Sequence, residues 1–133
     1  APVASYQPVV VDGHTAYVSG QLPFIDGKLV TGKLGEDVAL DRGIAAARAC
    51  GMMILSQLEA AGLIERVAHM VKLGGFVASI PDFFDQPKVI NGASDLMVEV
   101  FGDPGKHARS AVGVPVLPLN AAVEVDAIVA LKA

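Results

Sequence analysis

The chain has 133 residues and a formal net charge of −4, from ten Lys and Arg against fourteen Asp and Glu; it is 53% hydrophobic and only 18% charged, where an average soluble domain is about 25% charged. These figures fit a single domain over residues 1–133 and exclude a disordered chain. They also exclude a membrane-spanning helix, because no stretch approaches ~18 uninterrupted apolar residues, and the absence of any basic run disfavours nucleic-acid binding through phosphate neutralisation.

Mean hydropathy is +0.52. A domain this small leaves much of its surface exposed, so the apolar surplus predicts a subunit interface. The single cysteine, Cys50, cannot form an internal disulfide, and Ala1–Ser5 has neither a basic start nor an apolar run. Both features point to a reducing cytoplasm.

Pro8–Asp12 reads as a short strand ending at the turn Asp12-Gly13, and His14–Leu22, rich in Tyr, Val and Thr, reads as the next. A turn at Asp26-Gly27 leads to an extended piece, Lys28–Thr31. Leu40, Ile44, Ala47, Gly51, Ile54 and Leu58 recur at steps of four and three, which is one stripe of a helix. Asp37 is the expected N-cap, and Gly62-Leu63 suggests a Schellman ending. Val67–Ser79 is a strand interrupted by Gly74-Gly75, a pair that marks a bulge or a close backbone approach.

A second helix is expected from about Pro87, with Val89, Ala93, Leu96, Met97 and Val100 as its apolar face and Gly102–Gly105 as its closing loop. Ser110–Leu117 and Ala122–Leu131 are the last strands, joined by a turn over Pro118–Ala121. The order β-β-(β)-α-β-α-β-β predicts an α+β sandwich with both helices on one sheet face. In the last strand Val123, Val125, Ala127 and Val129 share one side. Both sides of Ser110–Leu117 are small or apolar. A sheet open to water on one face alternates more cleanly, so the second face is expected to be covered by another copy of the chain.

Polar residues set in apolar strands are the candidates for chemistry. Arg109 can hold a carboxylate through two parallel hydrogen bonds, or it can be an exposed loop arginine or half of a salt bridge. Glu124, between Val123 and Val125, can act as a general base or hold a water, or simply face outward. Ser19, Gly20 and Gln21 end a strand and can offer a hydroxyl and a bare backbone amide to a ligand, or form an ordinary strand exit. The Tyr6 phenol can reach a site or serve as a packed anchor. His14, His69 and His107 have no metal spacing and no second Cys beside them; His69 reads as structural, and His107, two residues before Arg109, can border a site. Cys50 reads as a packed, inert thiol. No Walker loop, dinucleotide fingerprint or nucleophile elbow is present.

Three segments carry a resemblance in common. Tyr17-Val18-Ser19-Gly20-Gln21-Leu22-Pro23, then Ala108-Arg109-Ser110-Ala111-Val112-Gly113-Val114, then Leu117-Pro118 with Val123-Glu124-Val125-Asp126-Ala127 together resemble the signatures of the RidA/YjgF family, in order and at near-family spacing. The resemblance implies a chorismate-mutase-like, ferredoxin-related β-β-α-β-α-β-β sandwich. It also implies a homotrimer around a central β-barrel, with sites in the clefts between subunits. The implied activity is hydrolysis of 2-imino or 2-enamino acids to 2-keto acids and ammonia, with no metal or organic cofactor.

By position, Arg109 matches the family's substrate-binding arginine and Glu124 its water-positioning glutamate. Tyr6, Ser19, Gly20, Asn91 and Ala111 match positions that line the pocket. The implied partners are a small carboxylate-bearing imine, enamine or keto acid and further copies of the chain; composition gives no membrane partner, and the charge disfavours nucleic acid. Ala111 stands where better-known members carry Cys, the segment from Asn91 to Arg109 is slightly longer, and Val3-Ala4-Ser5-Tyr6 replaces an Ile-Gly-Pro-Tyr phrase. These departures resemble a divergent branch. Two other functions compete with deamination: a trimer that binds a small carboxylate without turnover, and an endoribonuclease or translation inhibitor, which the −4 charge opposes.

Overall fold

In a computed structural model, which describes residues 5–133, strand β1 (Val9–Asp12) turns back at Gly13 onto β2 (Thr15–Gln21). The reading of Ala1–Ser5 and the phrase Val3–Tyr6 fall largely outside the described residues. A small hairpin follows, β3 (Phe24–Ile25) and β4 (Lys28–Leu29). Asp26 and Gly27 between them both take positive φ, 52° and 76°, as the tightest hairpin turns require. Then come α1 (Leu40–Ala60), β5 (Val67–Ala78), α2 (Gln86–Phe101), β6 (Ala108–Val114) and β7 (Val123–Leu131).

The main sheet has the order β1-β2-β7-β5-β6, antiparallel throughout except for the parallel pair β5–β6. Parallel neighbours need a long crossover, and α2 supplies it. The last strand in sequence thus lies in the middle of the sheet.

Both helices pack on one face. Ala16 and Val18 of β2, Met70, Leu73 and Val77 of β5, and Val123, Val125, Ala127 and Val129 of β7 turn toward them and are buried. Small residues bring the helices close: Ala46, Ala47, Cys50 and Gly51 on α1, Gly92 and Ala93 on α2. A Cβ added at Gly92 would run into the carbonyl oxygen of Ile44, a backbone atom that cannot swing aside. An exposed ion pair, Arg48–Glu99 at 3.0 Å, spans the same seam and adds little.

The opposite face carries Val10, Tyr17, Phe76, Val112 and Ile128 around Lys72, Glu124 and Asp126, as the strand registers dictate. Val10, Tyr17 and Val112 are about half exposed, at 50%, 46% and 45%.

Four expectations need correction. Asp37 does not cap α1: the cap position is Ala39, without a side-chain bond. The Asp37 carboxylate instead accepts the Lys33 amide at 2.7 Å and closes the loop before the helix. Val100 is 47% exposed, because it faces a shallow groove beside Met52, Leu55 and Ile64 rather than the sheet; Ile90 and Gly92 are buried on α2 in addition to the predicted residues. Strand β6 begins at Ala108 and stops at Val114, short of Leu117. Pro115 follows and has no N–H to continue the ladder. The ladder does not break at Gly74-Gly75; its register shifts fall earlier, between Val67 and Lys72. The two glycines instead admit the side chains of Asp126 and Ile90.

The Schellman ending is present. Leu63 N–H donates to Leu58 C=O at 2.8 Å and Gly62 N–H to Glu59 C=O at 2.9 Å, with Gly62 at φ +73°. Gly62→Ala is expected to cost about 1 kcal/mol, read by urea denaturation, because a Cβ disfavours that conformation.

Candidate functional site

Within the chain the predicted residues form two clusters and not one pocket. Arg109 and Asn91 meet at the edge of the sheet. Arg109 pairs with Leu73 in the parallel ladder and so lies on the helix-bearing side, over α2. Its Nη1 donates to Asn91 Oδ1 at 2.8 Å and to Ser94 Oγ at 3.2 Å. Asn91 and Ser94 are three residues apart on a helix and so present neighbouring side chains. A guanidinium has five N–H groups, and Nη1 accounts for the two engaged here. The Nε–Nη2 edge has no hydrogen-bond partner among the described residues, and that edge has the geometry for a bidentate carboxylate. A cleft of about 250 Å³ opens here, lined by Ser94, Asp95, Val98, Lys106, His107 and Arg109.

The second cluster gathers Tyr6, Ser19 and Gly20 in a cleft of about 530 Å³ with Gln21, Phe24, Met53 and Gln57. Ser19 fastens the N-terminal segment to β2: its hydroxyl donates to Gln7 C=O at 2.6 Å and its amide to Pro8 C=O at 2.9 Å. That tether places the half-exposed Tyr6 at the rim of the cleft. Gly20 matters for its missing side chain. A Cβ there would collide with the Glu124 carboxylate, so glycine lets Glu124 of β7 lie flat against β2.

Glu124 pairs with Phe76, so it faces away from the helices, opposite to Arg109. Burial, and then the neighbouring Asp126, raise its carboxyl above the ordinary value. Burial likewise raises Asp126, against the Gly74 amide and Lys72, which lower it. Ala111 is half-buried against the core and lines neither of the two clefts.

The raised Glu124 carboxyl makes a prediction about stability. Its folded value lies above its unfolded one, so the native state holds the extra proton in the interval between them. Stability falls as pH rises through that interval, and the whole cost of the buried charge is present above it. Glu124→Gln is therefore expected to raise Tm at neutral pH, with the gain shrinking toward zero as the solution is acidified through the carboxylate range. A thermal-melt series in which the gain is the same at every pH contradicts this.

Reading the residues in order along the chain missed Ser94, Gln57 and Met53. Ser94 was findable, one turn after Asn91 on the same helix. Gln57 and Met53 carry no local signal, because only the docking of α1 on β2 brings them to the cleft. A third cleft, about 630 Å³, lies at the far ends of β5 and β6 between Ser79, Gln86, Gly113 and Phe84, and holds none of the predicted residues. No three His, Cys, Asp or Glu side chains among the described residues gather closely enough to hold a metal ion. Cys50 is buried, which pushes its thiol far up and leaves it inert. No described helix is long and apolar enough to cross a membrane.

Two helices on one face of a five-stranded mixed sheet make this an α+β sandwich of the chorismate mutase-like kind. The family described as "YjgF/chorismate mutase-like, putative endoribonuclease" matches residues 1–131, and the chain belongs to it. Protein TCP17 of Trypanosoma cruzi is 52% identical over 99% of this chain and 84% of its own length. A 2-iminobutanoate/2-iminopropanoate deaminase of Dermatophagoides farinae is 31% identical over 98% of this chain and 89% of its own. A crystal structure of a protein of unknown function from Agrobacterium tumefaciens superposes with a TM-score of 0.94 at 49% identity, covering 97% of this chain and 83% of that one.

Proposed function

We propose that the protein hydrolyses 2-imino or 2-enamino acids to 2-keto acids and ammonia, in clefts that two copies of the chain complete together. The observation that carries this reading is the free Nε–Nη2 edge of Arg109, held in place by Asn91 and Ser94 at the margin of an open cleft. Similarity to a named imine deaminase supports the reaction class.

Within a protomer Arg109 and Glu124 face opposite sides of the sheet, so one copy alone does not pair them. The half-exposed apolar residues around Glu124 favour closing three copies with these faces inward, which sets one protomer's Arg109 cluster beside a neighbour's Glu124 cluster. Light scattering of the purified protein is expected to give a trimer.

In such a cleft Arg109 takes the substrate carboxylate and fixes the adjacent C=N carbon, and orientation of that kind lowers a barrier substantially. Glu124 accepts a proton from water as the oxygen attacks that carbon of the protonated imine, and the C=N electron pair moves onto the nitrogen. The raised carboxyl makes Glu124 a better base than an exposed glutamate. Glu124 then passes the proton it took to the amine nitrogen of the carbinolamine; the C–N bond breaks, ammonia leaves, and the hydroxyl proton returns to Glu124 as the C=O forms. No cofactor takes part.

The test couples an amino-acid oxidase, which releases imines, to capture by semicarbazide. Added protein is expected to lower semicarbazone yield across several amino acids. An unchanged yield for all of them, with a keto acid still bound at Arg109, favours a trimer that binds small carboxylates without turnover.

A further inference from the structure

Behind Arg109 lies a chain of hydrogen bonds whose direction is fixed when the His107 ring is neutral. His107 Nδ1 lies 2.6 Å from the carbonyl oxygen of Gly105. A carbonyl can only accept, so Nδ1 carries the ring proton. In the neutral ring Nε2 is then a bare lone pair. Ser94 Oγ lies 2.8 Å from that nitrogen and must donate to it. Its hydroxyl proton thus committed, Ser94 turns its own lone pairs away from the ring, and Arg109 Nη1 donates into one of them at 3.2 Å. The order of donation is Arg109 to Ser94 to His107 to Gly105. The far end is rigid: Gly105 is buried with its Cα against the Met97 carbonyl of α2, where no side chain fits, and its amide donates to Gly102 C=O at 2.8 Å.

We propose that Ser94 and His107 are positioning residues that orient the Arg109 guanidinium, so that its Nε–Nη2 edge meets the ligand carboxylate. The inference rests on the reading of Arg109 as the carboxylate site. Asn91 alone leaves the guanidinium free to swing about one bond. The second bond, to a hydroxyl that cannot rotate, removes that freedom and spares the ligand the cost of ordering a long side chain. The motif His107-Ala108-Arg109 together with Asn91-Gly92-Ala93-Ser94 is thereby a unit, and its serine and histidine serve the arginine rather than the substrate.

The experiment is calorimetric titration of 2-oxobutanoate, alongside imine kinetics, for the wild type, Arg109→Ala, Ser94→Ala, Ser94→Thr and His107→Phe. Ser94→Ala is expected to weaken binding about tenfold, as loss of a hydrogen bond to a charged group does. KM should rise in step while kcat hardly moves. Ser94→Thr keeps the hydroxyl and is expected to restore binding; His107→Phe keeps the ring and loses the acceptor, and is expected to weaken it. In the wild type, nitrogen NMR of the histidines should show His107 protonated at Nδ1 and bare at Nε2. Binding by Ser94→Ala and His107→Phe at the wild-type level, with none by Arg109→Ala, overturns the relay and leaves the carboxylate site standing. A proton found at Nε2 of the neutral ring also overturns the relay. Wild-type binding by Arg109→Ala overturns the carboxylate site and the relay with it.

Discussion

Arg109→Lys is expected to lower kcat/KM for imine hydrolysis by about a hundredfold or more, measured by semicarbazide competition with an oxidase-generated imine. The substitution keeps the charge and discards the planar fork. Nη1 of the arginine is spent on Asn91 and Ser94, and the opposite edge is what a carboxylate takes. An ammonium cannot do both, because its three donors radiate from one atom. If it satisfies Asn91, it meets the carboxylate at a single point and the C=N carbon is free to drift. Retention of wild-type activity by the lysine variant would remove Arg109 from the mechanism.

Gly92→Val is expected to destabilise the protein by more than about 3 kcal/mol, or to prevent folding, because over-packing cannot be relieved here by a side-chain rotation. The atom in the way is the Ile44 carbonyl, part of the α1 backbone. Relief requires the helices to separate, which opens the seam of Ala46, Ala47, Gly51 and Ala93 along its length. Gly51→Ala is the informative contrast. Its nearest obstacle is the end of the Leu96 side chain at 2.9 Å, a flexible group, so a smaller loss is expected. Guanidinium denaturation of both variants checks the order.

Much of this architecture was readable from residue order. The stripe from Leu40 to Leu58 marked α1 because helix periodicity follows directly from which face is buried. The Gly62 ending was visible because few residues other than glycine tolerate that backbone angle. Asp37 misled for an equally physical reason: an Asp three residues before a helix can cap it or bond the loop ahead of it, and only tertiary context decides. The parallel pairing of β6 with β5 was not readable, since apolar strands carry no mark of direction. The site residues were found as types but not as groups. Arg109 and Glu124 drew notice as charges in apolar strands, yet their placement on opposite faces follows from strand register, which a one-residue shift reverses. His107 stood out beside Arg109 and Ser94 was findable one turn after Asn91, but their joint role was hidden, because it lies in a contact across thirteen positions.

The central position of β7, bonded to β2 on one side and β5 on the other, has a consequence during synthesis. A nascent polypeptide that has not yet released residues 123–131 from the ribosome lacks the strand that joins the two halves of the sheet. Its β2 and β5 edges then stand bare, open to mispairing with other chains. Such contacts between distant parts of the sequence form slowly, so early intermediates are the stage at which this protein is most in need of chaperone protection.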